Sequence, residues 1–203
     1  MSIRKRLGRA ASVALVGILA AGLAACTNDT LADQYREGSN KGYIGADGFQ
    51  VVEIPESERT DPVVFSGVTD TGETITSEDV AGDVVVVNFW YAACGPCIVE
   101  APRLEEAYQA VADEAVTFLG LNTYDQAATA LAFARDNGVS YPSMLAVDDR
   151  ELKLAFVDAT PLSATPTTLV LDAEGRVAAR IVGELSAPSI LTTLVRDALA
   201  ETS

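Results

Sequence analysis

The chain has 203 residues, is 49% apolar, and carries 29 Asp and Glu against 14 Lys and Arg, a net charge of −15. That is ample apolar material for one core, while the acidic balance, with no Arg or Lys run and no interleaved aromatics, argues against nucleic acid as a partner. Three cysteines and no histidine are too few for a disulfide-stapled scaffold and argue against a zinc site with its four Cys, His or carboxylate ligands.

Arg4, Lys5, Arg6 and Arg9 open the chain without an acid, and Ala10 to Ala25 is small or apolar except for Ser12. This is the pattern of a secretory signal, 1–25. Its end, Leu23-Ala24-Ala25-Cys26, resembles the lipobox of bacterial lipoproteins. The resemblance implies that Cys26 is lipidated, becomes the first mature residue and anchors the protein at the extracytoplasmic face of the cell membrane. Cleavage by ordinary signal peptidase and retention as an uncleaved anchor are the alternatives; the apolar stretch is short against the roughly 20 residues that span a bilayer. Loss of residues 1–25 removes four positive charges and no acid, which moves the net charge from −15 to −19. Unless it is a general acidic habit of the source proteome, such a surface attracts a basic partner at low ionic strength.

Residues 26–57 are polar and broken by Gly38, Gly42 and Gly48, with only Gln50 to Ile54 strand-like, and read as a tether. A domain is expected over 58–203. Pro62 to Val68 and Glu73 to Ile75, joined through Asp70-Thr71-Gly72, predict a hairpin, and Ser77 to Val80 a short turn of helix. From Asp83 the pattern alternates: a β-branched strand to Tyr91, a helix from Gly95 to Asp113, a strand Val116 to Asn122, and an Ala-rich helix Gln126 to Asn137 that Gly138 stops. A short strand Met144 to Val147 and a helical segment Arg150 to Val157 follow. Thr167 to Leu171 and Val177 to Val182 flank the turn Asp172-Ala173-Glu174-Gly175, and Pro188 to Leu199 closes the chain as an amphipathic helix. The fold class is therefore α/β, a mixed sheet covered by helices on both sides.

The chemistry lies where the first long strand meets its helix, at Cys94-Gly95-Pro96-Cys97. Unpaired N–H groups and the dipole at a helix N-terminus favour a thiolate over a thiol. Cys94, before the first turn, is expected to be the exposed nucleophile, and Cys97, one turn in, the more buried resolving thiol. Pro96 suits a first turn, where a missing N–H costs nothing. A half zinc site and a purely structural bridge are the competing readings of the pair. Glu100, three residues after Cys97, shares its helical face; it either moves the Cys97 proton or complements the helix dipole, and spacing does not decide. Pro102 removes a hydrogen bond to Ile98. Pro166, in Thr165-Pro166-Thr167-Thr168, marks the start of a strand.

Asn88-Phe89-Trp90, Cys94-Gly95-Pro96-Cys97, Glu100, Pro102, Thr165-Pro166-Thr167-Thr168 and Asp172-Ala173-Glu174-Gly175 together resemble the membrane-anchored, thioredoxin-like thiol-disulfide oxidoreductases of bacteria, the TlpA/ResA-like relatives of the cytochrome c maturation reductases. The likeness runs from about Pro62 to Ala200. It implies a thioredoxin fold with an N-terminal hairpin and a helix-strand insertion between Gln126 and Val147. It also implies a redox-active Cys94–Cys97 disulfide in place of any cofactor, a cis Pro166 facing Cys94, and Thr165, Gly95 and Pro96 at the substrate. Glu100 falls on the family's active-site glutamate, and Asn88 where cytoplasmic thioredoxins bury an Asp. The implied partners are disulfide-containing exported proteins, apocytochrome c among them, and a membrane thiol carrier as electron donor. Ala93 departs from the family, which has Trp before the first cysteine. A disulfide-forming oxidant, a passive binding lipoprotein of the same fold, and a peroxiredoxin-like or copper-delivery protein are the rival readings. Tyr91 stands where peroxiredoxins carry threonine, and copper delivery needs wider cysteine spacing and a histidine.

Overall fold

A computed structural model describes residues 43–44, 50–161 and 163–201; the stretch read as a signal, Cys26 and most of the stretch read as a tether lie outside the described residues. Val84–Trp90 forms the strand β5, and every one of its seven side chains is buried. Alternation sends them to opposite sides of the sheet. Val84 and Val86 join Leu104, Val111, Phe118, Ile181, Leu191 and Val195 in one apolar cluster. Val85, Val87 and Phe89 join Phe65, Leu119, Leu121, Met144, Leu152 and Phe156 in another. A strand with two apolar faces needs cover on both, and helices supply it.

In chain order the remaining strands are β1 (Tyr43–Ile44), β2 (Gln50–Glu53), β3 (Ser66–Val68), β4 (Thr74–Thr76), β6 (Val116–Asn122), β7 (Ser143–Leu145), β8 (Thr167–Leu171) and β9 (Val177–Val182). The helices are α1 (Gly95–Gln109), α2 (Ala127–Asn137), α3 (Arg150–Ala155) and α4 (Pro188–Ala200). The main sheet runs β1-β2-β9-β8-β5-β6-β7, with β3 and β4 pairing separately. Strand β5 is parallel to β6 and antiparallel to β8, and β6 is parallel to β7. This is a thioredoxin-like mixed α/β fold with added strand and helix elements, as the resemblance implied. Among the described residues no helix is long and apolar enough to cross a membrane.

Several boundaries differ from the sequence reading. Gln50–Glu53, inside the stretch read as tether, is bound into the sheet against β9, from Gln50 opposite Val182 to Glu53 opposite Ala179. Arg59 fastens the same segment: its Nε donates to Ile54 O (2.9 Å), Nη1 to the buried Asp172 (2.9 Å) and Nη2 to Glu201 (2.7 Å). The hydrogen bonds to Glu201 hold its guanidinium more firmly protonated than usual. Ser77 to Val80 is a run of turns, not helix, because Asp79 Oδ2 takes both the N–H and the hydroxyl of Thr76 (2.9 and 2.6 Å) and closes the backbone locally. Helix α1 stops at Gln109 rather than Asp113, where the chain tightens through Val111 N to Tyr108 O. Gly138 ends α2 at φ 73° as its sequence position predicted.

Gly120 on β6 lies under the hydrogen bond from Trp90 Nε1 to Ser143 Oγ (3.2 Å). A Cβ there would come within 2.8 Å of Trp90 Nε1 and collide with Ser143. We expect Gly120→Ala to destabilise the fold by about 2 kcal/mol. Urea unfolding checks this, and an unchanged midpoint would show that Ser143 simply rotates away.

Candidate active site

Strand β5 delivers the chain to the site and α1 receives it. Cys94 is the N-cap of α1, its Sγ accepting from Cys97 N at 3.2 Å, with Pro96 in the first turn. The two cysteines form a disulfide, Cα atoms 5.2 Å apart. Gly95 and Pro96 between them are exposed. A thiolate generated at Cys94 would therefore meet an N–H donor and the positive end of the helix dipole.

The sulfurs differ less in exposure than expected: Cys94 is 3% and Cys97 2% exposed. Both sit in an apolar cluster with Trp90, Ala101, Ala130 and Phe133, and Tyr91 and Ala92, from the segment just before Cys94, pack against it. The reading of Cys94 as the exposed sulfur is thereby corrected. What separates the cysteines is their place on the helix, with Cys94 at the cap and Cys97 inside the first turn.

Glu100 follows one turn after Cys97 and is 1% exposed. Its Oε1 accepts from Asn88 Nδ2 (2.9 Å) and its Oε2 from Leu185 N (2.8 Å). Burial outweighs these bonds and pushes its carboxyl up to about 7. No hydrogen bond joins it to Cys97 among the described residues. Beside Cys97 lies a cavity of about 10 Å³ lined by Asn88, Trp90, Cys97, Ala101, Leu104, Phe133, Val139 and Tyr141, at the lower limit for one water. Burial pushes the Tyr141 phenol up as well, so it remains neutral.

The strand β8 reaches the site from the other side. Asn88 pairs with Thr168 and Phe89 with Thr167, and Asn88 Nδ2 also donates to Thr168 Oγ1 (3.1 Å). Pro166, buried and joined to Thr165 by a cis peptide bond, stands one residue before that pairing. Its carbonyl accepts from Gly183 N (3.0 Å), and Thr165 is half-buried. The fold thus brings Cys94, Cys97, Glu100 and Pro166 to one end of the sheet.

Sequence reasoning missed three contributors. Leu185 meets Glu100 through a backbone N–H, and Arg103 holds that loop by donating to Glu184 Oε1 (2.6 Å) and Leu185 O (2.9 Å). Asp125 Oδ2 accepts from Ala92 N (2.6 Å) and pins the segment before Cys94. Asn and Asp, which hydrogen-bond nearby backbone in turns, are the one signal in Asn122-Thr123-Tyr124-Asp125 from which this ordered loop could be read.

Comparison with known proteins agrees with this geometry. The family model for redoxins matches residues 53–195. The chain is 28% identical over 130 residues to the thiol-disulfide oxidoreductase ResA of Bacillus subtilis, covering 64% of this chain and 70% of that protein. It spans 65% of the length of two further curated relatives. A solved thiol:disulfide interchange protein of the thioredoxin family from Chlorobium tepidum superposes with TM-score 0.63 at 31% identity, over 70% of this chain and 97% of that one. A DsbF homologue from Corynebacterium diphtheriae gives TM-score 0.64 at 26% identity, over 78% and 99%.

Proposed function

The chain belongs to the redoxin family, and from that premise we propose that it is an extracytoplasmic thiol-disulfide oxidoreductase that reduces disulfides in partner proteins. The observation that carries this reading is the Cys94–Cys97 disulfide at a helix N-terminus, one turn ahead of a Glu100 whose burial pushes its carboxyl up.

In the reduced protein the Cys94 thiolate attacks one sulfur of the substrate disulfide. That S–S bond breaks, one substrate thiolate leaves, and a mixed disulfide joins Cys94 to the substrate. Glu100 takes the Cys97 proton, through a bridging water or after a small side-chain shift. The Cys97 thiolate then attacks Cys94 Sγ, releases the second substrate thiolate and restores the Cys94–Cys97 disulfide. Thr165 and Pro166 offer backbone to an extended stretch of substrate, beside Gly95 and Pro96. Two electrons must return for each turnover, and a membrane thiol carrier supplies them to a domain tethered through lipidated Cys26. Apocytochrome c fits as substrate, since a basic protein complements a mature chain whose net charge moves from −15 to −19 on loss of residues 1–25.

The equilibrium potential of the Cys94/Cys97 pair, titrated against a dithiol buffer, tests the direction of flow. A value near or below about −270 mV is expected for a reductant. One towards about −120 mV would make the protein a disulfide-forming oxidant and remove apocytochrome c reduction from the reading.

A further inference from the structure

Between β6 and α2 the chain makes a tight turn that the exchange chemistry leaves unused. Asn122, fully buried, accepts through Oδ1 from the N–H groups of Tyr124 (3.0 Å) and Asp125 (2.7 Å). Asp125 Oδ2 accepts from Asn122 Nδ2 (3.0 Å) and Ala92 N (2.6 Å), and Thr123 N donates to Trp90 O (3.0 Å). The turn is thus locked to the segment that leads into Cys94.

The side chain mounted on this lock is Tyr124, 73% exposed. Its ring lies 5.4 Å from that of Tyr91, tilted by 51°, and Tyr91 packs against the cluster that contains both cysteines. A large ring held in water adds nothing to the core. Recognition surfaces use such rings because little side-chain freedom is left to lose on contact. Ala93, exposed beside Cys94, adds only a methyl group to this edge of the site.

Charge sets what the rings would take. Asp125 Oδ1 has no hydrogen-bond partner among the described residues, and Gln126 Nε2 holds a second carboxylate, Asp148, at 2.8 Å. We propose that Tyr91, Tyr124 and Asp125 form a subsite for a Lys or Arg side chain flanking the reactive cysteine of a partner polypeptide. A cation is drawn to the face of a tyrosine ring, and a guanidinium adds planar contact and a fork for a carboxylate. The inference rests on the thiol-disulfide reading above and names the substrate class for the same site.

The test uses the full chain carrying Cys26→Ser and Cys97→Ser, so that Cys94 is its one thiol. Short peptides hold a cysteine activated as its thionitrobenzoate disulfide and flanked by Arg, Leu or Glu. Cys94 thiolate attacks the peptide sulfur, the Cys94–peptide disulfide forms, and departing thionitrobenzoate reports the rate. Each rate is divided by that of the same variant with neutral dithiodipyridine, which cancels changes in thiol reactivity. At low ionic strength the Arg peptide is expected to react about tenfold faster than the Glu peptide, the ratio falling to about twofold with Tyr124→Ala and with Asp125→Asn. A parent ratio near one, a Leu peptide that ranks first, or a ratio that survives Tyr124→Ala overturns the subsite. Failure of the underlying reading looks different: the two-cysteine protein then turns over no protein disulfide, whereas the preference among activated peptides stands or falls by itself.

Discussion

Cys94→Ser is expected to abolish reduction of a protein disulfide such as insulin, with a loss of at least about 10³-fold. A serine hydroxyl stays protonated at neutral pH, so no anion forms at the helix cap to attack sulfur. Cys97→Ser should behave differently: attack proceeds, release does not, and covalent protein–substrate disulfides accumulate on non-reducing gels. The contrast decides the order of the two sulfurs, which exposure leaves open at 3% and 2%. The assignment of Cys94 rests on its place at the cap, where its Sγ already accepts Cys97 N–H at 3.2 Å. If Cys94→Ser were the variant that trapped substrate, Cys97 would be the attacking sulfur. If both retained turnover, the disulfide would be structural.

Local chemistry made most of the frame legible. The valine run before Cys94-Gly95-Pro96-Cys97, the stop at Gly138 and the Asp172–Gly175 turn each act within a few residues, and the elements they bound were read within a few residues of their observed ends. The burial of Cys94 was not legible, because its cover includes Ala130 and Phe133 from α2, far along the chain. Nor was the hydrogen-bond setting of Glu100. Its spacing from Cys97 showed the helical face, but Leu185 N comes from the loop after β9, 85 residues away. Sequence pattern carries no signal for a backbone donor at that distance. Ser77 to Val80 failed for a local reason: Thr76 and Asp79 offered a side-chain closure that competes with helix. The N-terminal strand Gln50–Glu53 did look strand-like, but its partner β9 was needed to show that it belongs to the sheet.

Glu100→Gln is expected to remove a pH dependence that the parent carries in both stability and turnover. The folded-state value of about 7 lies above the ordinary 4.5, so the folded protein holds this proton more tightly than the unfolded chain. That contribution is fully present below pH 4.5 and is lost as pH rises through 7, a swing of about 3 kcal/mol for a group this buried. Glutamine is neutral throughout. It can keep both bonds if its oxygen faces Leu185 N and the Asn88 amide turns to present its carbonyl to the new NH₂. Urea unfolding at pH 5 and pH 8 should therefore show the variant gaining on the parent by up to about 3 kcal/mol at the higher pH. Curves that stay parallel would mean that Glu100 titrates in the ordinary range. Turnover reports the other half: if ionised Glu100 takes the Cys97 proton, parent activity rises through pH 7, and the variant lacks that step and runs about 10²-fold slower. A variant that shows the stability change yet resolves mixed disulfides at the parent rate would leave Glu100 as a buried acid with no part in the proton transfer.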